Sequence, residues 1–326
     1  MSLPVAPGEK YALIALNAAT EIREPVDLGD GQLALPRGAF ELPTHWKEWL
    51  GTLKAKAVER ASLKLLVRAP SERPAVLDAE NEQLQQRIGS LYWGLLAAGK
   101  VRVSGAGIQL TGSHGGEGID VRQVGDLDPV ISMDGVLAKR VTEAHLRRAA
   151  MLAKGLAHLF EDARMLRMRM AVNTFLRAAS APQLRDRIHQ HVRVVDGLTR
   201  VIWGGRTKFK ERCRTFVPPD QTDACWEMYV IRCNVEHFQD PSQDLPPLPR
   251  REDLLRGYRR AHEAEALARD CMARLLLNES LWQHFADDQI NAFWARPEPE
   301  RAAIWGKTFD LAAAMALFRP DHIPGE

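Results

Sequence analysis

The stretch TEAHLRRAAMLAKGLAHLF, residues 142–160, marks the point at which the chain changes character. Its apolar residues, Leu146, Ala153 and Leu156 among them, recur every three or four positions, which is the spacing of an amphipathic helix. Thr142 is a favourable residue for the start of this helix, and we expect the helix to reach about Ala179. The sequence after it keeps helical spacing, whereas the sequence before it mixes helical spacing with the two-residue alternation of strands.

Upstream of this stretch, short apolar runs alternate with helical patterns. The run YALIAL at residues 11–16 predicts a buried strand, and residues 62–67 predict another. Helices are predicted over 44–60 and 78–98, the first with Trp46, Trp49, Leu50 and Leu53 on one buried face. Residues 101–103, 108–110 and 119–121 alternate like strands, with a turn at Gly105 and Gly107 and a glycine-rich hairpin connection at 111–118.

The predicted fold class is therefore α+β. We expect a mixed α/β domain over residues 1–136 and an all-α domain over residues 137–326, with the linker near 126–140. The later helices are expected over 183–203, 207–216, 220–237 and 252–277, because Gly204-Gly205 and several prolines interrupt the apolar spacing between them.

The composition of the 326 residues is that of a globular protein, with 45% apolar and 26% charged residues. No run approaches the roughly 18 apolar residues of a membrane span, so no membrane partner is expected. The first residues lack the basic and apolar pattern of a secretory signal. The four cysteines have neither disulfide-framework nor zinc spacing, so we expect a cytoplasmic protein without metal or other cofactor.

Charge is concentrated in one segment. The whole chain carries a net charge of +2, but residues 164–214 hold 13 basic and three acidic residues, a net charge of +10. Such a block can attract phosphates, and arginine suits bidentate phosphate contacts; the alternative is a solvated helical face balanced by acids elsewhere. The candidate nucleic-acid-binding residues are Arg185, Arg193, Arg200, Arg206, Lys208, Lys210, Arg212 and Arg214.

One motif contains residue types suited to catalysis. Residues 223–238, DACWEMYVIRCNVEHF, place Arg232 and His237 five positions apart. An arginine can bind a phosphate and a histidine can transfer a proton near neutral pH, which together suffice for RNA cleavage without a metal. Five helical residues correspond to a rotation of about 140°, so the two side chains meet only at a frayed helix end or across a two-fold dimer. The structural alternative is an Arg232–Glu236 pair one turn apart with His237 at the helix end.

Residues 164–275, about a third of the chain, resemble the HEPN superfamily and in particular its Apea-like domains. The resemblance is carried by NTFLRA at 173–178, LRDRIHQHVRVVDGL at 184–198, GGRTKFKER at 204–212 and MYVIRCNVEH at 228–237. It implies an all-α bundle that forms a homodimer, with Arg232 and His237 as the catalytic pair in a shared cleft and Asn234 and Glu236 in support.

The function that the resemblance implies is a metal-independent endoribonuclease of a toxin or anti-phage defence type, which binds RNA and leaves a 2′,3′-cyclic phosphate. Two alternatives stay open. One is an inactive HEPN-like module that binds nucleic acid or nucleotides or serves as a scaffold, and the other is a protein–protein adaptor. Residues 1–136 lie outside the resemblance, and we expect them to sense a ligand or bind a protein that the sequence does not identify.

Overall fold

The computed structural model describes residues 2–116, 118–202, 204–238 and 244–324. The chain is α+β, as predicted, with a sheet in its N-terminal part and helices in its C-terminal part. Contacts divide it into two units, Met1–Ser132 with Ala138–Ala157 and Met133–Leu137 with His158–Glu326. The boundary predicted after Val136 falls inside the short segment Met133–Leu137, and the first part of the helix predicted to open the second domain, up to Ala157, belongs to the first unit.

Seven strands form one antiparallel sheet within the described residues. The order is β2-β3-β4-β1-β5-β6, and β7 also pairs with β5. The strands are β1 (Glu9–Ala18), β2 (Val26–Gly29), β3 (Gln32–Pro36), β4 (Leu63–Pro70), β5 (Val103–Gly115), β6 (Gly118–Ile119) and β7 (Gln123–Asp126). The first strand is thus central, since it pairs with β4 on one side and β5 on the other.

Both faces of β1 are buried, which explains its nearly continuous apolar sequence. Tyr11 and Leu13 belong to the cluster that α1 (Thr44–Arg60) covers with Trp46. Helix α2 (Ala79–Ala98) contacts β1 and β4 and begins after Asp78, whose side chain caps it. The strand at 11–16 and the two helices were predicted from the sequence, and the structure confirms them.

The predicted buried face of α1 is wrong in part. Trp46 and Leu50 are buried, but Trp49 and Leu53 are exposed. Gly51 has a positive φ of 74° and interrupts the helix, so Leu53 beyond it does not continue the stripe that begins at Trp46. Trp49 precedes this break, and its exposure shows that the buried stripe is narrower than predicted.

The predicted turn at Gly105 and Gly107 is also absent. Residues 103–115 form the single strand β5, and its register against β1 shifts near Asn17. Gly105 takes a φ of +75° in this irregular stretch, so its conformational freedom serves a bulge rather than a turn. The hairpin connection within 111–118 is present but shorter, because His114 and Gly115 already pair with β6.

Two lysines lie buried in the sheet unit. Lys10 on β1 pairs with Asp78 at 2.7 Å and Glu80 at 2.9 Å. Burial lowers its pKa, but these two carboxylates outweigh that effect and raise it. Lys64 on β4 has no carboxylate partner among the described residues: its Nζ donates to the carbonyl of Ala61 at 3.0 Å. Burial, followed by the charge of Arg37, lowers the pKa of Lys64 to about 8.

The long helix predicted over 142–179 is two helices, α3 (Glu143–Glu161) and α4 (Leu166–Ser180). A single 3-10 turn, Ala163–Met165, separates them. The Asp162 side chain accepts a hydrogen bond from the backbone N–H of Arg164 at 2.9 Å and so begins a new turn. The apolar spacing continues across this break, which is why the sequence pattern did not reveal it.

Helix α5 (Leu184–Thr199) lies at the centre of the second unit, where it contacts α4, α7 and α8. It ends at Arg200, which takes the left-handed conformation, rather than at the glycine pair beyond. The remaining helices are α6 (Gly205–Cys213), α7 (Thr222–Glu236), α8 (Arg250–Leu277), α9 (Trp282–Phe285), α10 (Ile290–Ala295), α11 (Glu298–Trp305) and α12 (Leu311–Ala314). Among the described residues, none of the helices is both long and apolar enough to cross a membrane.

Candidate functional site

Arg232 lies where α7 packs against α5. Its Nη1 is 2.9 Å from Oε2 of Glu236, one turn further along α7, and its Nη2 is 3.7 Å from Oδ2 of Asp196 on α5. The arginine and Asp196 side chains are each 16% exposed, whereas Glu236 is 42% exposed. The pair of Arg232 with Glu236 is the structural alternative weighed from the sequence, and it is present.

The guanidinium of Arg232 is also held by an aromatic ring. Its central carbon lies 5.2 Å from the ring centroid of Tyr229, a distance at which cation–π attraction operates. Its Nε is buried and has no hydrogen-bond partner within the described residues. The guanidinium is therefore held in place by charge and stacking while one of its donors is left unused.

Asp196 is the most unusual carboxyl group of this cluster. Burial raises its pKa above the ordinary range, against the opposing effects of a hydrogen bond from Thr199 and the charge of Arg232. The Thr199 hydroxyl donates to Asp196 Oδ1 at 2.9 Å. Asp196 thus connects the end of α5 to the arginine of α7.

Two further residues lie on the side of α5 that carries Asp196. His189 is half-buried, and the charges of Glu236, Arg193 and Arg232 all act on it. Burial lowers its pKa, and its Nε2 is shielded from solvent without a hydrogen-bond partner in the described chain. Arg193 is exposed one turn further along. We call the following six residues the α5–α7 site: His189, Arg193, Asp196, Tyr229, Arg232 and Glu236.

His237, the second member of the predicted catalytic pair, lies just after α7. Its backbone N–H donates to the carbonyl of Cys233 at 2.9 Å, and its side chain is exposed. No hydrogen bond or ion pair joins its side chain to Arg232 in the part of the chain that the structure describes. Phe238 follows with a φ of +55° and is 98% exposed. Within one described chain, therefore, no hydrogen bond or ion pair links Arg232 to His237.

Asn234, predicted to support the pair, is buried. It follows Arg232 by two helical residues, a rotation of about 200°, so it lies on a different face of α7. Neither its amide nitrogen nor its amide oxygen has a hydrogen-bond partner among the described residues. Glu236, the other predicted supporting residue, does contact the arginine.

Most of the predicted nucleic-acid-binding residues are engaged with their own chain. Several of them form ion pairs with acidic residues outside the basic block. This is the alternative considered from the sequence, in which acids elsewhere balance the charge of the block. The contacts are Arg206 with Asp244, Lys208 with Glu211, Lys210 with Asp223, Arg214 with Glu298, Arg200 with the carbonyl of Asp287, and Arg212 with the carbonyls of Thr199 and Arg200.

Arg185 and Arg193 differ from the other six. Both are exposed on α5, and neither forms a hydrogen bond or an ion pair with the described residues. They lie four residues before and four residues after His189, so the three share one face of the helix. The part of the predicted basic surface that is free to meet a phosphate is therefore this stripe beside Arg232.

His189 was not among the candidate site residues predicted from the sequence. The four-residue spacing of Arg185, His189 and Arg193 indicates that they share one face of a helix. It does not indicate that this helix packs against α7. His191 is in fact buried, with its ring against Phe175.

The cysteines do not supply a metal site. Cys213, Cys225 and Cys271 are buried in the helical core, and burial raises the pKa of the Cys213 and Cys271 thiols. Over residues 2–116, 118–202, 204–238 and 244–324, no group of three or more His, Cys, Asp or Glu side chains is arranged to hold a metal ion. In the first unit, His114 bonds through Nδ1 to the carbonyl of Val5 at 2.6 Å, so this ring fastens the glycine-rich hairpin to the N-terminal segment.

Comparisons of this chain with protein-family models, with curated proteins and with solved structures find no match.

Proposed function

We propose that the helical unit is a metal-independent endoribonuclease that binds RNA along α5 and cleaves it at the α5–α7 site. The observation that carries this proposal is the position of Arg232, a partly buried guanidinium fixed by Tyr229 and by Asp196 of α5, the helix that also carries the unpaired Arg193. A guanidinium fixed in this way can bind a phosphate and stabilise the charge that develops on it during cleavage. The HEPN resemblance, which places the catalytic arginine at Arg232, supports the same assignment.

In this proposal the RNA phosphate takes the place of the Glu236 carboxylate at Nη1 of Arg232. Glu236 is the more exposed of the two acidic partners, so it can turn away from the guanidinium while Asp196 keeps the guanidinium in position. Arg193 and Arg185 bind neighbouring phosphates of the same strand. His237 gives a proton to the leaving 5′-oxygen.

A homodimer is part of this proposal. Since His237 does not reach Arg232 within one chain, we expect a second copy to complete the pair, as the resemblance implies. Light scattering of the purified protein is expected to give twice the chain mass of 36.5 kDa. The role of such an enzyme would be that of a toxin or an anti-phage defence protein.

The test is cleavage of mixed cellular RNA in the presence of EDTA. The parent is expected to produce fragments with 2′,3′-cyclic phosphate ends, and the Arg232→Lys and His237→Ala variants are expected to lose this activity. Arg260→Lys is the matched control, because Arg260 is also 16% exposed and also lies between two carboxylates. Equal cleavage by the parent and the Arg232→Lys variant would overturn the assignment.

A second candidate function is RNA binding without cleavage. The observation that favours it is the separation of His237 from Arg232, since a lone arginine binds phosphate but transfers no proton. In this case the parent protein binds RNA with an affinity that falls steeply with salt, and no fragments form in any buffer.

A further inference from the structure

His189 is the histidine that the chain itself brings to Arg232. It lies on the stripe of α5 that carries Arg185 and Arg193, about two helical turns before Asp196 on the same face, and Asp196 pairs with Arg232 at 3.7 Å. The charges of Arg232 and Glu236 also act on it. His237, by contrast, forms no hydrogen bond or ion pair with the arginine in the described chain. The proton acceptor that RNA cleavage needs beside the bound phosphate is therefore present on α5.

The two sides of the His189 ring differ. Nε2 is shielded and has no hydrogen-bond partner among the described residues, while the residue as a whole stays partly exposed. A shielded imidazole nitrogen without a partner is costly in a folded protein, because such groups are nearly always hydrogen-bonded.

A carboxylate of the same α5–α7 site could supply that partner after its side chain moves. Glu236 acts on His189 electrostatically and is bound to Arg232 in the present arrangement. When a phosphate occupies Arg232, the displaced Glu236 carboxylate is free to accept the Nε2 proton of His189. A carboxylate behind an imidazole fixes its tautomer and makes the opposite nitrogen the better base.

The charges around His189 favour its neutral form in the absence of RNA. Burial is the largest effect and lowers its pKa; Arg193 on its own helix and Arg232 on α7 act in the same direction. Glu236 on α7 and Asp186 on α5 oppose them. A neutral imidazole at neutral pH is the form that can accept a proton.

We propose that His189 is the general base of the reaction, a catalytic residue that takes the proton from the ribose 2′-OH next to the phosphate bound by Arg232. This inference rests on the ribonuclease function proposed above. As the His189 lone pair takes the proton, the 2′-oxygen forms a bond to phosphorus and the bond from phosphorus to the 5′-oxygen breaks. The 5′-oxygen receives a proton from His237, the products are a 2′,3′-cyclic phosphate and a free 5′-hydroxyl, and His189 returns its proton to water.

The experiment compares His189→Gln with His284→Gln, in the full-length protein. His284 is a suitable control because it is also half-buried and its pKa is also lowered by burial. We measure kcat on an RNA oligonucleotide in EDTA, Kd for the same sequence with 2′-deoxy sugars, and Tm. His189→Asn is carried in parallel, so that a folded variant is available even if glutamine packs poorly.

The expected result for the His189 variants is a loss of about 100-fold or more in kcat, the usual contribution of a general base. The Kd for the uncleavable strand should stay within about threefold, since the arginines that bind phosphate are intact. In the parent, the rate should rise with pH through the histidine range and then level off, and this rise should vanish in the variants. His284→Gln should behave as the parent.

Different outcomes separate the two proposals. If the parent cleaves RNA and the His189 variants cleave with the same rate and pH profile, His189 is not the base and the ribonuclease assignment stands. If the variants lose affinity for the uncleavable strand and kcat is unchanged, His189 binds RNA only and the inference is overturned. If the parent binds the uncleavable strand and cuts no RNA, both the ribonuclease function and the assignment of His189 as its general base are overturned.

Discussion

The carboxylate of Glu236 lies 2.9 Å from Nη1 of Arg232, one helical turn away on the same face of α7. In the proposed function this nitrogen binds an RNA phosphate, so the two anions compete for one donor. The free protein therefore carries its own occupant of the phosphate position, and the strength of that internal pair influences RNA affinity.

Replacement of Glu236 by glutamine should increase RNA affinity several-fold. The substitution keeps the size of the side chain but removes the charge that neutralises the guanidinium, while the lost pair costs only about 0.3–0.5 kcal/mol of stability. Fluorescence anisotropy with an uncleavable oligonucleotide measures the change. Glu300→Gln is the matched control, since Glu300 also pairs with an arginine one turn away, Arg296, at 3.5 Å. An unchanged or weaker affinity of Glu236→Gln would show that no competition exists.

Arg193 and Arg214 should differ sharply when each is changed to alanine. Arg193 is exposed and unpaired in the described chain, whereas Arg214 lies 3.7 Å from Glu298. We expect Arg193→Ala to weaken RNA binding about threefold to tenfold and to lower the slope of log Kd against log salt by about one, as the loss of one phosphate contact does. Arg214→Ala should leave both quantities close to those of the parent. Equal effects of the two substitutions would support the wider basic surface predicted from the sequence.

The free energy of unfolding of the first unit should depend on pH through Lys64. Its pKa is about 8 in the folded protein, below the ordinary 10.5, so the unfolded chain binds more protons between these two values. Stability attributable to this residue therefore rises as pH increases from about 8 to about 10.5, by an amount on the order of 2–3 kcal/mol. Below pH 8 the cost of holding the charged amine is present in full.

Lys64→Met tests this expectation. The substitution removes a buried charge, and we expect the variant to be about 1–2 kcal/mol more stable than the parent at pH 7, after about 1 kcal/mol is deducted for the hydrogen bond to Ala61. The difference should shrink as pH approaches 10. Urea unfolding at pH 7 and pH 10 provides the measurement, and Lys56→Met, on the exposed side of α1, is the control. A variant less stable than the parent at pH 7 would contradict the expected cost.

The four cysteines should react with a thiol reagent in two classes. Cys213, Cys225 and Cys271 are buried, whereas Cys233 is partly exposed. Since burial also disfavours the thiolate, the native protein should show one thiol that reacts quickly and three that react only when urea unfolds the chain. Cys233→Ser should remove the fast phase. Fast reaction of two or more thiols in the folded protein would contradict the buried positions.

Local periodicity predicted the elements of this fold because the residues that define each one are neighbours in sequence. The apolar run at 11–16 and the spacing in α2 required no distant information. The pattern failed where conformation, rather than hydrophobicity, decides: Asp162 ends α3 with a side-chain hydrogen bond, and Gly105 takes a positive φ inside a strand. Neither event changes the apolar spacing around it.

The candidate site was predictable only in part, for a related reason. The pair of Arg232 with Glu236 follows from a separation of four residues. The pairs that neutralise Arg206 and Arg214 join residues 38 positions apart in one case and 84 in the other, so a charge count along the sequence overstates the free positive surface. The approach of His189 to Arg232 likewise depends on how α5 packs against α7.

The central position of β1 has a consequence for how the chain is made. Lys10 pairs with Ser113, so β1 leaves the ribosome before its partner β5, which follows about 100 residues later. At translation rates of about 5–20 residues per second, the apolar run at 11–16 stays without its second neighbour for roughly 5–20 s. A nascent chain that ends before β5 cannot pair β1 on both sides, so over that interval one edge of this apolar strand stays open to other chains.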